Sequence, residues 1–329
     1  MNSSHDPGQA TGFRRGSALV VGLAASLTAS LLFAVNGTVS KLVLESGLSS
    51  LRLVEIRCVL AAAVFAAFAA ARRPSSLAIG RRELGFLALY GVTGVAMVQW
   101  LYLVALARMP VSISLLLEFT APLLVALWVR FARGEHVRSR IWLALAFSLG
   151  GLALVAEVWR GLSLDAVGLV AALLAAVSLA VYYLVGEHGL GRRDPTSLAA
   201  WTFAAAGLFW SLLLPWWSFP FGALTNRVEL HGVDLPVWLM LGYVVLLGTV
   251  APFGLTFFAL GRIGAPRTGL FGTAEPVLAG IVAWVVLGEV LSPVQLAGAS
   301  VVFAGILLAV TARNRVVPAQ RTATTWHSV

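Results

Sequence analysis

Charged residues are scarce in this sequence. Asp, Glu, Lys and Arg together make up 11% of its 329 residues, whereas hydrophobic residues make up 59%. A soluble domain carries about 25% charged residues. The mean hydropathy is +0.91, and the apolar residues fall in blocks of about 20, the length of a helix that crosses a bilayer. This composition excludes a water-soluble globular protein and indicates a membrane protein.

Cysteine is almost absent. The single cysteine, Cys58, lies inside an apolar run, so neither a disulfide framework nor a thiolate metal cluster can form. We expect Cys58 to be a buried free thiol, because cysteine commonly packs as a small hydrophobic residue. No metal and no cofactor are predicted.

The motifs of nucleotide-binding and hydrolytic enzymes are missing too. The sequence has no G-x-G-x-x-G ahead of a helix, no P-loop, no H-E-x-x-H and no G-x-S-x-G. The histidines are scattered over predicted loops and termini: His5, His136, His188, His231 and His327. The protein is therefore not predicted to be an enzyme, and a membrane-embedded lipid-modifying enzyme is a distant alternative.

Ten membrane-spanning helices are predicted from the hydropathy pattern. Their approximate ranges are 18–43, 50–71, 84–106, 111–132, 139–158, 166–186, 196–217, 236–258, 268–288 and 294–312. No soluble domain is left over, and residues 1–17 and 313–329 are predicted to be cytoplasmic tails. The predicted fold class is an all-α membrane protein that lies in the lipid bilayer.

The basic residues predict how the chain is oriented. If the N-terminus is placed inside the cell, 17 of the 23 basic residues fall in segments on the inner side, as the positive-inside rule requires. We therefore expect both termini to be cytoplasmic, in the plasma (inner) membrane. The net charge of +9 does not indicate a nucleic acid partner, because the basic residues form no stripe with aromatic ones.

The two halves of the sequence resemble each other. A spacing of 146 residues relates VGL at 21–23 to VGL at 167–169. A spacing of 154 residues relates ALARM (105–109) to ALGRI (259–263), Gly94 to Gly248, Pro122 to Pro276, and Gly134-Glu135 to Gly288-Glu289. Several identities that share one spacing indicate an internal duplication.

We infer two repeats of five spans each, residues 18–158 and 166–312. Because five is odd, the second repeat must cross the membrane in the opposite sense to the first. The predicted architecture is therefore ten transmembrane helices arranged as two inverted five-helix repeats. In such proteins the substrate site lies near the midplane, where the repeats meet.

Two carboxylates lie deep inside predicted spans. Glu118 and Glu275 each accompany a proline, Pro122 and Pro276. A carboxylate at that depth costs about 3 kcal/mol unless it faces a partner or a wet cavity, and each proline deletes a helix hydrogen bond. We predict helix breaks at both prolines and at Pro252 in span 8. The carboxylates could bind a proton or a substrate ammonium group; the alternative is a structural hydrogen bond to a neighbouring helix.

Two basic residues are further candidates. Lys41 is the only lysine in the chain; it could bind a substrate carboxylate, or its ammonium could extend to the membrane interface. Arg57 lies inside span 2, two residues from Glu55. A buried ion pair with Glu55 and a contact with the substrate are both open.

Polar and aromatic residues of spans 1, 3 and 6 complete the predicted substrate site. They are Asn36, Gln99, Tyr102 and Tyr182. The alternative for the tyrosines is a place in the aromatic belts at the membrane interfaces. The Gly-Glu pairs 134–135 and 288–289 are predicted to form turns or helix caps.

Three segments resemble a known family. They are LEFTAPLLVAL (117–127), TVAPFGLTFFALGRI (249–263) and RTGLFGTAEPVLAGIVAWVVLGEVLSPVQLAG (267–298), with Lys41 and Arg57 in matching places. Over residues 18–312 the chain resembles the EamA-type family of the drug/metabolite transporter superfamily, and within it the branch of threonine/homoserine exporters. The resemblance implies a ten-helix carrier made of two inverted five-helix repeats.

We therefore expect a secondary active transporter that exports amino acids or related small metabolites across the inner membrane. A proton is the expected coupling ion, and a small-molecule substrate is the expected partner. The alternative is an efflux carrier for multiple drugs or lipophilic cations, which the same carboxylates would suit. A homodimer is left open.

Overall fold

The computed structural model of the protein describes residues 7–131, 139–155, 164–190, 192–230, 233–272 and 274–312. The helices of this part are α1 (Pro7–Glu45), α2 (Ser50–Arg72), α3 (Arg81–Tyr90), α4 (Met97–Leu106), α5 (Val111–Glu118), α6 (Ala121–Phe131), α7 (Ser139–Val155), α8 (Ala166–Leu190), α9 (Pro195–Leu213), α10 (Val237–Val245), α11 (Ala251–Gly272), α12 (Ala274–Leu287) and α13 (Pro293–Ala312). Two strands, β1 (Arg227–Leu230) and β2 (Val233–Pro236), lie between α9 and α10.

Six helical segments of the described chain are long and apolar enough to cross a bilayer. They are Leu19–Glu45, Ser50–Arg72, Arg81–Leu106, Ala166–Gly186, Pro195–Leu213 and Val237–Ala259. Four shorter apolar segments lie at the other predicted spans: Val111–Val125, Trp142–Gly151, Ala274–Leu287 and Pro293–Gly305. Each predicted span thus overlaps an apolar helix in the described residues. That the four shorter helices also cross the bilayer stays a prediction.

The long connection before span 8 corrects the expectation of an all-α protein. Strands β1 and β2 form an antiparallel hairpin in which Arg227 pairs with Pro236 and Leu230 pairs with Val233. Hydropathy reports where a segment is apolar, and this connection is too polar to attract attention as a span. The alternation of polar and apolar residues in Arg227–Leu230 is a strand signal of only four residues, and a search for apolar segments of about 20 residues does not register it.

Two spans contain a π-helical segment at equivalent places. Between α3 and α4 the segment is Gly91–Ala96, and between α10 and α11 it is Leu246–Val250. Gly94 and Gly248, which are 154 residues apart in the sequence, lie one in each segment. Single π turns inside α-helices are frequent at functional sites, and both segments lie beside the site described below.

Span 4 is interrupted where a break was predicted. Helix α5 ends at Glu118, Phe119 and Thr120 form a turn, and α6 begins at Ala121. Pro122 is therefore in the first turn of α6, where its missing N–H would have no intrahelical acceptor. Pro276 likewise lies in the first turn of α12. Residue 273, before this helix, lies outside the described residues, so the break predicted there stays a prediction.

The predicted connection between spans 8 and 9 is helical instead. Hydropathy predicted that span 8 ends at residue 258 and span 9 begins at residue 268, yet α11 runs from Ala251 to Gly272. The intervening Arg262 and Arg267 lower the hydropathy of this stretch. A charged side chain does not interrupt backbone hydrogen bonding, so the helix continues past the apolar segment.

The two repeats pack around a local two-fold axis. Helices α7 and α13, the fifth helices of the two repeats, pack against each other. A methyl group on Gly151 would contact Val302, and one on Gly305 would contact Ser148. Both residues of the first contact lie 154 positions from those of the second, so each contact has a symmetric counterpart. The two equivalent helices run antiparallel, which places the axis perpendicular to them.

The remaining inter-repeat contacts follow the same symmetry. Helix α1 packs on α10, α11 and α12, and α8 packs correspondingly on α4, α5 and α6. The second helices of the repeats, α2 and α9, also pack on each other. The hydrophobic core formed by these contacts surrounds the space between the repeats.

An arginine ties each repeat to the other at the ends of α2 and α9. In the first repeat Arg52 forms an ion pair with Glu55, with 2.6 Å between Nη1 and Oε2. Its guanidinium also donates to the carbonyls of Leu214 and Pro215 and to the hydroxyl of Ser218, all of which follow α9. The Glu55 side chain is fully buried.

The second repeat carries the counterpart, Arg193. This side chain donates to Glu83 and to the carbonyls of Ser76 and Ala78, which follow α2. It donates as well to the hydroxyl of Ser197. The hydrogen bond to the Glu83 carboxylate raises the pKa of Arg193. Arg52, in α2, therefore holds the segment that follows α9. Arg193, just before α9, holds the segment that follows α2.

Candidate functional site

A cavity lies between the two repeats. Its volume is about 130 Å³, roughly ten times the 10–15 Å³ that holds one water molecule. It is lined by Phe33, Asn36, Arg57, Val98, Gln99, Tyr102, Leu115, Glu118, Phe119, Leu179, Tyr182, Phe253, Thr256 and Glu275. Both repeats contribute to this wall. Seven of the eight predicted binding residues are among the lining residues, and Lys41 is not.

Both predicted carboxylates face the cavity. Glu118 is the last residue of α5 and is 8% exposed; Glu275 lies in the first turn of α12. Neither carboxylate is hydrogen-bonded or ion-paired to another residue in the described ranges. The alternative prediction, a structural hydrogen bond to a neighbouring helix, is therefore not met there. Each acid reaches the cavity from an end of its helix.

Asn36 and Tyr182 occupy equivalent places in the two repeats, 146 residues apart. A methyl group on Gly248 would overlap the side-chain oxygen of Asn36. A methyl group on Gly94 would lie 3.3 Å from Cα of Tyr182. The first helix of each repeat thus closely approaches a π-helical segment of the other repeat, and a glycine at the contact makes the approach possible.

Gln99 and Tyr102 line the cavity from α4. The Gln99 side-chain nitrogen donates to the carbonyl of Val95, at 3.3 Å, while its side-chain oxygen is buried and has no donor in the described part of the chain. The Tyr102 hydroxyl lies against Gly37 of α1. Both residues line the cavity, as predicted, and Tyr102 is only 9% exposed.

Aromatic rings form another part of the cavity wall. Phe253 lies at the centre and makes edge-to-face contacts with Phe33 (ring centroids 5.3 Å apart), Tyr182 (6.3 Å) and Phe203 (5.1 Å). Such contacts fix ring orientation. This wall is apolar, whereas the carboxylates and Gln99 provide polar groups.

Arg57 also lines the cavity, and the predicted alternative of an ion pair with Glu55 is wrong. Glu55 pairs with Arg52 instead, because residues three apart lie on one face of a helix whereas residues two apart do not. Arg57 is 3% exposed, and its Nε donates to the hydroxyl of Thr249 at 3.1 Å. Thr249 belongs to the π-helical segment of the second repeat.

Lys41 lies outside the cavity lining. Its ammonium forms an ion pair with Glu289, at 2.5 Å, and donates to the carbonyl of Met109 at 3.4 Å. Glu289 also accepts from the backbone N–H of Val111, the first residue of α5. Lys41 thus bridges the two repeats, a contact that neither of its predicted roles included. Sequence distance hid this pairing, since the two residues are 248 positions apart.

The predicted turn at Gly288-Glu289 is observed. Gly288 has a positive φ of 65°, a conformation that favours glycine at the end of a helix, and Glu289 caps α5 through the Val111 N–H. The equivalent pair Gly134-Glu135 lies outside the described residues.

Pro252 lies in the first turn of α11, immediately after the π-helical segment Leu246–Val250. A proline inside a continuous helix leaves a carbonyl four residues earlier without a donor. Here the π-helical turn precedes it, so the predicted break is a local change of helix type and not an end of the helix.

Sequence analysis missed several lining residues, and the repeat spacing could have found some of them. Adding 154 to Gln99 and Tyr102 leads to Phe253 and Thr256, both of which line the cavity. Adding 146 to Phe33 leads to Leu179, which does so too. Thr249 carried no signal, because a threonine in an apolar helix is common.

Comparison with known proteins identifies the family. The sequence profile of the EamA-like transporter family matches the chain twice, over residues 20–156 and 166–311. The chain belongs to the EamA-like transporter family. The two matches show two copies of the family's domain, and the chain is accordingly a multi-pass membrane transporter of the drug/metabolite transporter superfamily.

Individual relatives of this EamA-like transporter are also named as transporters or exporters. The threonine/homoserine exporter RhtA of Escherichia coli (strain K12) is 30% identical over 226 residues, which are 68% of this chain and 70% of that protein. An uncharacterized transporter of Archaeoglobus fulgidus is 27% identical over 208 residues, 63% of this chain and 70% of that protein. The uncharacterized inner membrane transporter YicL of Salmonella typhimurium (strain LT2) is 22% identical over 267 residues, which are 80% of this chain and 86% of that protein.

A solved crystal structure shares the fold of this EamA-like transporter. It has a TM-score of 0.56 and 21% sequence identity, and the match covers 91% of this chain and 99% of that one. At this identity the likeness concerns the arrangement of helices.

Proposed function

We propose that this EamA-like transporter exports amino acids or related small metabolites across the inner membrane in exchange for protons. The observation that carries the proposal is the pair of carboxylates, Glu118 and Glu275, that face one cavity without a hydrogen-bonding partner among the described residues. Intramembrane acids are costly and commonly mark ion or substrate pathways. The relative RhtA, named as a threonine/homoserine exporter, supports the substrate class.

The proposed exchange uses the acids in alternate states. A carboxylate that binds the ammonium group of the substrate gives up its proton, and a proton replaces the substrate when it leaves. One cation then occupies the acid in each half of the cycle. The two-fold arrangement of the repeats supports this scheme, because exchange of their two conformations would expose the cavity to either side in turn.

A transport assay in proteoliposomes tests the proposal. Vesicles that contain the purified protein are loaded with labelled L-threonine or L-homoserine, and a pH gradient is imposed. We expect the gradient to drive flux through the native protein and to drive none through the double variant Glu118→Gln/Glu275→Gln. Substrate counterflow without a gradient would report whether binding survives in the single variants.

The matched control is Glu229→Gln on the exposed face of the hairpin. The same chemical change far from the cavity should leave the flux unaltered. Gradient-driven flux that persists in the double variant would refute the role of the two acids. Failure of the native protein to move any amino acid would refute the substrate class.

We also propose that ten helices span the membrane, that residues 18–158 and 166–312 form the two oppositely oriented repeats, and that both termini are cytoplasmic. The single cysteine makes this easy to test on a Cys58→Ser background. A membrane-impermeant maleimide applied to intact cells should label Glu229→Cys and should label Ser75→Cys only after the membrane is disrupted. The reverse pattern would contradict the proposed orientation.

The second candidate function is efflux of lipophilic cations. The aromatic wall around Phe253 favours it, because rings bind organic cations through their faces. The cavity volume of about 130 Å³ favours the smaller amino acids, since pockets for drug-sized ligands commonly measure about 300–1,000 Å³. Competition by tetraphenylphosphonium against labelled threonine separates the two: strong competition supports the cation carrier.

A further inference from the structure

Arg57 is a buried cation whose charge is not paired with a carboxylate in the described part of the chain. Its Nη1 is buried and has no acceptor in the part of the chain that the structure describes. Within the same part no carboxylate forms an ion pair with Arg57. A buried guanidinium without an anionic partner is destabilising, so a structural role alone does not account for an arginine at this position.

The nearest acid along the chain and the other candidate cation are engaged elsewhere. Glu55, two residues away, pairs with Arg52 at 2.6 Å. Lys41 pairs with Glu289 at 2.5 Å and lies outside the cavity lining. Among the described lining residues, Arg57 is therefore the one cation available to an anionic group of a ligand.

The orientation of Arg57 is set from the other repeat. The hydroxyl of Thr249 donates to the carbonyl of Val244 at 2.8 Å, which leaves an oxygen lone pair to accept from Nε of Arg57. This contact holds one edge of the guanidinium against the π-helical segment. The terminal nitrogens remain available, and their planar arrangement matches the two oxygens of a carboxylate.

We propose that Arg57 binds the carboxylate of the substrate while Glu118 or Glu275 binds its ammonium group, so that the cavity selects zwitterions. This inference rests on the proposed function and deepens it. The charge balance agrees: one guanidinium and one ionised carboxylate neutralise each other, and a zwitterion adds no net charge. A lipophilic monocation offers nothing to Arg57 and is disfavoured by its charge.

Ligand pairs that differ only in the carboxylate test the proposal. Binding of L-threonine and of L-threoninol, in which CH₂OH replaces the carboxylate, is measured on the purified full-length protein by displacement of labelled L-threonine. We expect the native protein to bind threonine at least about tenfold more tightly than threoninol, since loss of a buried charge-assisted contact commonly costs that much or more. Equal binding of the two ligands by the native protein overturns the proposal without any variant.

The variant Arg57→Gln should weaken threonine binding by about 100-fold. It should not weaken the binding of threoninol, a monocation that the charge of Arg57 disfavours, so the preference for threonine disappears. Arg57→Lys should restore part of the preference. Arg72→Gln, an exposed arginine at the end of the same helix, is the matched control and should change neither ligand. A preserved preference in a folded Arg57→Gln protein overturns the proposal.

Thr249→Val covers the case in which Arg57→Gln fails to fold. It removes the hydroxyl that orients the guanidinium but no charge, and it should reduce the threonine preference several-fold. An unchanged preference in this variant overturns the proposed orientation. If the native protein binds labelled tetraphenylphosphonium but neither threonine nor threoninol, the proposed function fails as well, whereas loss of the Arg57 effect alone leaves amino acid export standing.

Discussion

The two repeats of this transporter place different chemistry at equivalent positions. Where the first repeat has Gln99 and Tyr102, the second has Phe253 and Thr256, and all four side chains line the cavity. Glu118 corresponds to Gly272 at the same spacing of 154 residues. At these positions the first repeat therefore provides an amide, a phenol and a carboxylate, whereas the second provides a phenyl ring, a hydroxyl and no side chain.

This difference shows which residues a duplicated fold has to keep the same in both repeats and which can differ. The helix contacts need the same small residues on both sides, as Gly94 and Gly248 show, because the first helix of the other repeat lies close in both places. The cavity has no such requirement. An amino acid differs in charge between its head group and its side chain, so a cavity whose equivalent positions differ in polarity suits it better than a symmetric one.

The largest expected effect concerns the two arginines that tie the repeats together. Arg52→Ala would leave the fully buried Glu55 without its cation, and breaking a buried pair in this way costs about 3–5 kcal/mol. Arg193→Ala should cost less, because Glu83 is 29% exposed and water can replace the lost partner. Thermal unfolding in detergent measures both.

The double variant Arg52→Ala/Glu55→Ala is the control for this pair. Removing both charges should recover part of the lost stability, since the penalty comes from the uncompensated carboxylate. Equal losses of stability in Arg52→Ala and Arg193→Ala would contradict the expectation that the more buried carboxylate, Glu55, causes the larger loss.

The close approach at the π-helical segments should give the next largest effect. Gly248→Ala would overlap the Asn36 side chain, and overpacking typically costs about 1–3 kcal/mol. Asn36→Ala in the same protein should relieve the clash and recover thermal stability. Recovery would confirm the contact, and a double variant as unstable as Gly248→Ala would speak against it.

The hydroxyls at equivalent positions offer a finer comparison. Tyr102→Phe and Thr256→Val each remove one hydroxyl and keep the approximate shape. If the first-repeat residues at these positions bind the substrate head group, Tyr102→Phe should weaken threonine binding by about 1 kcal/mol, the usual net value of a hydrogen bond, and Thr256→Val by less. A larger effect of Thr256→Val in the displacement assay would assign the head-group contact to the second repeat instead.

The smallest effect on transport is expected for Lys41. Lys41→Met removes the ion pair with Glu289. Neither residue of this pair lines the cavity, so the loss should affect stability more than substrate binding. The KM for threonine should change by less than about threefold, which corresponds to roughly 0.7 kcal/mol. A loss comparable to that of Arg57→Gln would place Lys41 in contact with the substrate.

Parts of the site could be predicted from the sequence because charged side chains in a membrane carry a free-energy cost. Glu118, Glu275 and Arg57 are charged groups in apolar runs, and their cost made them visible. Pro122 marked a true interruption for a similar reason, since a proline cannot continue a helix hydrogen-bond pattern. The π-helical segments were not predicted. Their sequence signal was the pair Gly94 and Gly248 at the repeat spacing, and glycines do not specify a helix type.

The amino-acid sequence by itself determined the membrane environment, the duplication and the acids of the site, because hydropathy, repeat spacing and charge are properties of neighbouring or regularly spaced residues. Only the tertiary structure decided the partners. Arg52 rather than Arg57 pairs with Glu55, Lys41 pairs with Glu289, and Arg57 is left facing the cavity. Such pairings depend on side-chain direction and on contacts between helices that are distant in the chain, and neither is encoded in local pattern.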